Sequence, residues 1–490
     1  MRRHRAVLVV AGAAAVWCAA AVPVTAVPAA RAAALAGTWG TAIEVPGLGA
    51  LNQGGWTQLN QVSCGAAGNC VAVGSYADGA FHTQAFLVSE TNGTWRSAVE
   101  VPRSGILNAG GGAGADSVSC VSAGNCTAIG HYTDGAGHGQ AFAISETNGN
   151  WGTAVKVPGV GGLNRFGTPI VHDSVSCASA GNCAAVGAYR DGASRSQVFV
   201  VSETNGTWGT AIKMPFSGIL NWAGSADAGP VSCGAAGNCA AVGSYHARGP
   251  DSTQAFVVSE TNGTWGTAIE VPGSQTLNAG LNASGVSVSC VSAGNCTAVG
   301  FYFDGVGSPS GRQQVFVVRE TNGTWRHAIQ IPGAGLFDAG SGAGVTSVSC
   351  ATAGNCAAGG TYEDSFLAQQ AFVVNETSGT WGDPIEVPGS AALNGERLAI
   401  VGSVSCASAG NCTAGGFYTD ASRPSHEQPF VVSQTNGTWG NAIQVPGSGT
   451  LNAGDAKVTS VSCRAAGICA AGGTYTDAAG HTQSFVVNQS

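Results

Sequence analysis

The chain has 490 residues, 44% of them hydrophobic and only 9% charged, with 19 basic against 27 acidic side chains and a formal charge of −8. So few cations, scattered singly, exclude a phosphate-backbone binder, which needs clustered Lys and Arg. Of the 17 cysteines all but one stand in regularly spaced pairs, which points to an oxidising compartment.

Residues 1–36 read as a secretion signal. Arg2, Arg3 and Arg5 form the charged start, Ala6 to Val22 the apolar run, and small residues from Thr25 to Ala34 offer cleavage points. Cys18 follows Trp17, a poor context for lipid attachment. No later stretch is long and apolar enough to span a bilayer, so a secreted, extracellular, monomeric product is expected. Without the leader 15 basic residues face 27 acidic ones, and Lys156, Lys213 and Lys457 are the only lysines.

Residues 37–490 read as one domain built from eight copies of a unit of about 57 residues. Four short strands fit each unit. The first is the Ser-Val-Ser-Cys segment. The second is of the type Cys-Thr-Ala-Val-Gly-x-Tyr, reached through a turn holding Ala-Gly-Asn. The third, as in Ala255-Phe256-Val257-Val258, is apolar almost continuously, which predicts burial on both faces. The fourth follows Asn-Gly, a tight-hairpin signal, and closes on proline in every unit: Pro46, Pro102, Pro158, Pro215, Pro272, Pro332, Pro388 and Pro446. Proline cannot donate to a ladder, so this strand belongs at a sheet edge.

The last copy stops after Phe485-Val486-Val487, and the strand it lacks is supplied by Gly37 to Pro46. Complementary ends predict a closed ring, an all-β, eight-bladed propeller of four-stranded antiparallel blades whose last blade takes its outer strand from the N-terminal segment. An open solenoid with capped ends is the alternative.

The cysteines fall in eight Cys-x5-Cys pairs: Cys64/Cys70, Cys120/Cys126, Cys177/Cys183, Cys233/Cys239, Cys290/Cys296, Cys350/Cys356, Cys406/Cys412 and Cys463/Cys469. Zinc sites favour Cys-x2-Cys with further ligands nearby, and the nine histidines do not recur with the pairs. Local disulfides across each first turn are expected, each contributing about 2 kcal/mol by loop closure.

The hairpin Ser259-Glu260-Thr261-Asn262-Gly263-Thr264-Trp265 and its siblings resemble a degenerate Asp-box, the structural hairpin of sialidase-type propellers. That resemblance implies a Trp anchored between blades and remote from any active centre. The whole repeat is also similar to the Cys-containing repeats of secreted actinobacterial proteins, a likeness that implies architecture and no particular activity.

All eight tyrosines hold one repeat position, and in seven units an Asp follows two residues later: Asp78, Asp134, Asp191, Asp304, Asp364, Asp420 and Asp477. Each Asp is read as closing its own turn; a ring of metal ligands is the alternative, and one carboxylate per blade does not make such a site. A Leu-Asn pair recurs in the inter-blade connection (Asn52, Asn108, Asn164, Asn221, Asn278, Asn394 and Asn452, with Phe337-Asp338 in the remaining copy), read as capping its own loop.

Two of the four connections per unit vary in length and residues, and in a four-strand meander those two share one face. Binding residues concentrate on variable loops carried by a rigid scaffold. The non-repeated side chains of that face are Trp56, Trp222, Arg165, Phe166, His172, Arg190, Arg195, His246, Arg248, Arg312, Arg397 and His426. Among them Trp56, Trp222, Arg165, His172, Arg190, His246, Arg248 and Arg312 are the candidate ligand-binding set. The chain carries no HExxH, no phosphate-binding glycine loop and no nucleophile elbow. No cofactor, metal or catalytic residue is assigned. A non-enzymatic binding or adhesion module for a glycan or surface protein is expected, with a glycan-active hydrolase or lyase and a purely structural protein as alternatives.

Overall fold

The structure is a computed structural model that describes residues 37–490 apart from 165–170, 217–219, 221–223, 248–251, 280–281, 306–310, 334–339, 341 and 396–397, and gives only the backbone of 171–173. The proposed leader, residues 1–36, lies outside the described residues.

Eight antiparallel sheets follow one another along the chain. In the first blade the inner strand is Thr57–Ala66, the second Asn69–Ala77 and the third Thr83–Thr91. The outer strand is divided: Thr94–Trp95 pairs with Glu90 and Thr91, and Val99–Glu100 with Phe86 and Leu87. Between the two pieces the outer strand carries one residue more than its partner, a bulge that interrupts the exposed edge. The pattern alone suggests one unbroken fourth strand, and the bulge is invisible to it.

The ring closes where expected. Ile43 and Glu44 pair with Val486 and Phe485, and Trp39 bridges Gln489. The N–H of Thr38 donates to the Ser490 carbonyl at 2.9 Å and that of Gly40 to the Asn488 carbonyl at 2.8 Å. The last blade is therefore completed by a strand from the other end of the chain.

Within a blade the repeated Gly-x-Tyr and Phe-Val-Val segments interlock. Gly74 stands opposite Phe86, and the same Gly–Phe pairing recurs in all eight blades through Gly473 and Phe485. A Cβ on Gly74 would lie 2.8 Å from the Phe86 ring. The glycine is what lets the ring lie across the strand, and the phenylalanine covers the backbone that glycine leaves bare. The eight core clusters each join two adjacent blades. One packs Leu59, Val62, Phe86 and Trp95 of the first blade on Ala470 and Val486 of the last. Burial on both faces thus explains the continuous apolar runs.

All eight cysteine pairs are disulfides between directly opposed residues of the first hairpin: Cys64–Cys70, Cys120–Cys126, Cys177–Cys183, Cys233–Cys239, Cys290–Cys296, Cys350–Cys356, Cys406–Cys412 and Cys463–Cys469, with Cα atoms 3.9–4.0 Å apart. The disulfides are those expected from the spacing, and the structure adds how deeply the second cysteine of each pair is buried. Cys70, Cys126, Cys183, Cys239, Cys296, Cys356, Cys412 and Cys469 are buried, 3–6% exposed. Each belongs to a different one of the eight inter-blade clusters. They sit at the start of the second strand, which is covered on both faces, so its sulfur packs as a small apolar group. These cysteines are part of the scaffold and offer no surface to a ligand. Of the first cysteines only Cys64 is buried; the other seven are half-buried.

The Ser before the first Cys of each blade accepts the amide of the corresponding Cys in the next blade. These bonds, 2.9–3.0 Å long, run round the complete ring. A parallel set links side chains such as Ser460, Gln61 and Ser117 to the amides of Val62, Val118 and Val175. In the fourth blade Pro230 stands at the accepting position and has no oxygen to offer there.

Candidate functional site

The first-hairpin turn and the Asn-Gly turn lie on one side of each blade, where the N–H of Gly93 donates to the Gly68 carbonyl at 2.8 Å. The second-to-third turn and the inter-blade connection meet on the other, where the N–H of Gly54 donates to the Ala77 carbonyl at 2.9 Å. The disc therefore has a tight-turn face and a variable-loop face.

On the variable-loop face the repeated Asp organises its turn. Asp78 Oδ1 accepts the amides of Ala80 and His82, and Oδ2 accepts Gln84 Nε2. Gln84 Oε1 in turn accepts Asn108 Nδ2 of the following connection at 3.0 Å. The recurring Asn thus ties its connection to the preceding blade as well as to its own loop, where Asn52 Oδ1 accepts the amide of Trp56. Burial acts to raise the carboxyl pKa of Asp134, but the amides of His138 and Ala136 and the Gln140 side chain outweigh it and hold the group below the ordinary aspartate value. Among the described residues no three His, Cys, Asp or Glu side chains are grouped to hold a metal ion.

Every tyrosine is buried, 1–6% exposed. Four donate to a Glu on the outer strand of the same blade: Tyr76 to Glu100, Tyr245 to Glu270, Tyr362 to Glu386 and Tyr475 to Glu44, at 3.2–3.4 Å. Burial, with these carboxylates beside them, pushes the four hydroxyls far above the ordinary tyrosine value. A buried, firmly protonated phenol is unsuited to attack a substrate.

The indoles of the repeat reach the neighbouring blade. Trp265 Nε1 donates to Ser202 Oγ at 3.0 Å, and Ser202 donates to the buried Glu260 at 2.5 Å. Trp325, Ser259 and Glu320 repeat the arrangement. At the sixth blade, Arg319 of the fifth stands in place of the serine and pairs with Glu376, leaving Trp381 Nε1 without a hydrogen-bond partner among the described residues. Burial raises the carboxyl pKa of Glu90, Glu146, Glu203, Glu260 and Glu320. Two clefts open beside such glutamates on the tight-turn face. One of about 390 Å³ is lined by Glu90, Asn488 and Arg464, and one of about 150 Å³ by Glu146, Glu203 and Ser145.

The candidate ligand-binding residues are spread over several blades, with His172 and Arg190 on paired strands of the third. Trp56, 39% exposed, precedes the first inner strand. Arg190 Nη1 donates to the Ser194 carbonyl of its own turn at 3.0 Å. Arg195 pairs with Asp191 and Arg312 with Asp304, both at 3.2 Å. His246 ends the second strand of the fourth blade and is exposed. His172 lies on the strand Val171–Ser179, with its side chain outside the described residues. Trp222, Arg165, Phe166, Arg248 and Arg397 lie outside them altogether. His426 Nδ1 is 3.6 Å from Asp455. Sequence reasoning passed over the pair of His131 and Asp116, 2.8 Å apart and half-buried on the second blade.

Apart from Trp56, it also passed over the exposed apolar side chains. Among the described residues 13 large hydrophobics are exposed. Eight are the repeated Ile or Val of the outer strand, from Ile43 to Ile443, at the rim. The other five are Trp56, Phe81, Ile106, Phe366 and Leu367, and all lie on variable loops. Phe81 and Leu367 occupy a left-handed backbone position, φ 61 and 60, where the sister turns hold Gly137 and Gly480. Arg103 does the same in the connection carrying Ile106, φ 68, where six sister connections hold glycine. A side chain in that conformation costs about 1–2 kcal/mol relative to glycine. Aligning the five copies of this turn and noting where large apolar residues replace glycine is the signal that reveals them.

No family model matches the chain, and no curated protein matches it in sequence. Solved structures do match. A prolyl endopeptidase is 12% identical with a TM-score of 0.43, over 90% of this chain and 55% of that one, so this chain spans about half the length of that protein. A lectin from Burkholderia pseudomallei is 14% identical with a TM-score of 0.41, over 80% of this chain and 99% of the lectin. An ulvan lyase is 11% identical with a TM-score of 0.40, over 84% and 95%. These scores and identities transfer no residue role to this chain.

Proposed function

We propose that the protein is an exported, non-enzymatic binding or adhesion module that engages its partner through the variable-loop face. The observation that carries this is the one-sided distribution of exposed apolar side chains. Beyond the rim, the five large ones among the described residues all stand on that face. Exposed apolar surface set on loops of a rigid scaffold is characteristic of an interaction site. Eight disulfides agree with an extracellular location, and the buried tyrosines speak against a tyrosine nucleophile. An exposed indole such as that of Trp56 also suits stacking on a sugar ring, which keeps a glycan among the partners. The experiment is retention of the purified protein on insoluble polysaccharides, cell envelopes and lipid vesicles, with Trp56→Ala and Phe81→Gly as variants. Retention that drops in the variants supports the face. Retention that they leave unchanged, or measurable glycosidase turnover with no retention, overturns it.

A further inference from the structure

We infer that the apolar tips of the variable-loop face form a docking surface for an uncharged or zwitterionic lipid layer, entered by Phe81 on the first blade and by Phe366 and Leu367 on the sixth. This rests on the reading of that face as the binding side and names its partner.

The five-residue turn occurs in five blades as 78–82, 134–138, 191–195, 364–368 and 477–481, and its fourth residue is left-handed each time, with φ between 60 and 81. Glycine fills that place in the second and last blades and Ser194 in the third. Phenylalanine and leucine fill it in the first and sixth, with Phe366 next to Leu367 where sister turns carry Ala136 and Ala479. Phe81, Phe366 and Leu367 are 78, 72 and 73% exposed, so most of each side chain faces solvent. Backbone strain kept at a site of no structural benefit points to function.

The shape and chemistry of the tips select the partner. They are exposed and stand three blades apart on one face, so one contact engaging both must be broad. Aliphatic and aromatic groups are mixed, with Ile106 at 71% exposure on the connection that follows the first blade. That mixture suits a soft apolar phase better than the face of a sugar. The polar groups beneath the tips are engaged within their own turns. Asp364 accepts the amides of Phe366 and Ala368 and Gln370 Nε2, as Asp78 does in the first blade. Sugar recognition needs such groups directed outward. After residue 36 the chain carries 15 basic against 27 acidic side chains, and Arg195 and Arg312 of this face are paired with Asp191 and Asp304, so a net attraction to anionic lipid is not expected. Exposed Arg103, on the same connection as Ile106, is placed to meet a headgroup phosphate, and Trp56 to lie at the interface depth that tryptophan favours.

The test uses the whole protein and three probes: vesicles of phosphatidylcholine, vesicles of phosphatidylcholine with phosphatidylglycerol, and insoluble cellulose and chitin. The variants are Phe81→Gly and the double change Phe366→Ala with Leu367→Gly. Both install residues that sister turns already hold, so the turn is relieved and the melting temperature should not fall. Wild type should sediment with phosphatidylcholine vesicles, and adding phosphatidylglycerol should not strengthen this. Each variant should weaken it about threefold or more and the combination more than about tenfold, as expected for withdrawing large apolar side chains from lipid. Absence of wild-type sedimentation with either vesicle, or sedimentation unaltered by the variants, overturns the lipid inference. If the polysaccharides retain wild type but not the variants and the vesicles retain neither, the lipid inference fails while the face stands. If the variants match wild type on every probe that retains it, both fail.

Discussion

Ser462 Oγ accepts the amide of Cys64 at 2.9 Å, joining the inner strand of the last blade to that of the first. Residues 398 positions apart in sequence make the same bond that Ser176 and Cys233 make between consecutive blades at 3.0 Å. The seam is thus chemically equivalent to the other seven junctions. Ser462→Ala leaves the Cys64 amide without its partner and should lower unfolding stability by about 1–2 kcal/mol. Ser176→Ala should cost a similar amount in parallel denaturant titrations. A much smaller loss at Ser462 would mean that the seam is not closed in solution.

Acid should loosen the variable-loop face before the blades. Asp134 is held below the ordinary aspartate value once its turn is formed. A carboxyl depressed on folding adds stability that is present above its unfolded pKa and is lost as pH falls through the folded one. Amide-exchange protection of Ala136 and His138, whose N–H groups bond Asp134 at 3.0 and 2.9 Å, should therefore drop below about pH 4 while that of Ala128 and Ile129 persists.

The buried glutamates act with the opposite sign. Burial raises the Glu260 carboxyl, against a smaller opposing effect of the Ser202 hydroxyl. A raised acid favours the folded state below its unfolded pKa, and that contribution disappears as pH rises through the folded value. Glu260 Oε2 also lacks a hydrogen-bond partner. Glu260→Gln should stabilise the protein at pH 8 by about 1 kcal/mol and lose that advantage near pH 4. Gln434 and Gln489 show that an amide fits the position. Thermal melts of both proteins across that range decide it, and a variant that is less stable at pH 8 counts against the assignment.

One hairpin departs from its siblings. Seven outer turns have the first central residue left-handed, and six of these residues are Asn; the sixth blade has Ser378, φ 49, before Gly379. Asparagine tolerates this conformation better than serine. Ser378→Asn should raise the stability by up to about 1 kcal/mol, read as a shift of the denaturation midpoint without change of slope.

Repetition made most of the architecture legible. The spacing of Cys, Tyr, Phe and Pro set the blade count, and the cut repeat at the two ends located the seam. The cysteine pairs placed the hairpins, and the loop lengths separated the two faces. Each of these rests on local pattern or on comparing one copy with another, and the strand pairs from Ile43–Val486 to Cys64–Cys70 agree. Tertiary structure alone decided what single side chains do between blades. Serines of the first strand look like ordinary exposed residues until the next blade presents its amides to them, and the Glu of the outer hairpin looks solvated until the neighbouring Ser or Asn and an indole enclose it. Burial of the second cysteine of each pair, as at Cys126 and Cys412, likewise waits on the adjacent blade that covers it. The backbone hand at Phe81 and Leu367 is only hinted at by Gly137 and Gly480 in the sister turns, and the dihedral angles establish it. Contacts between successive blades, or across the seam, depend on packing geometry that no periodicity in the chain encodes.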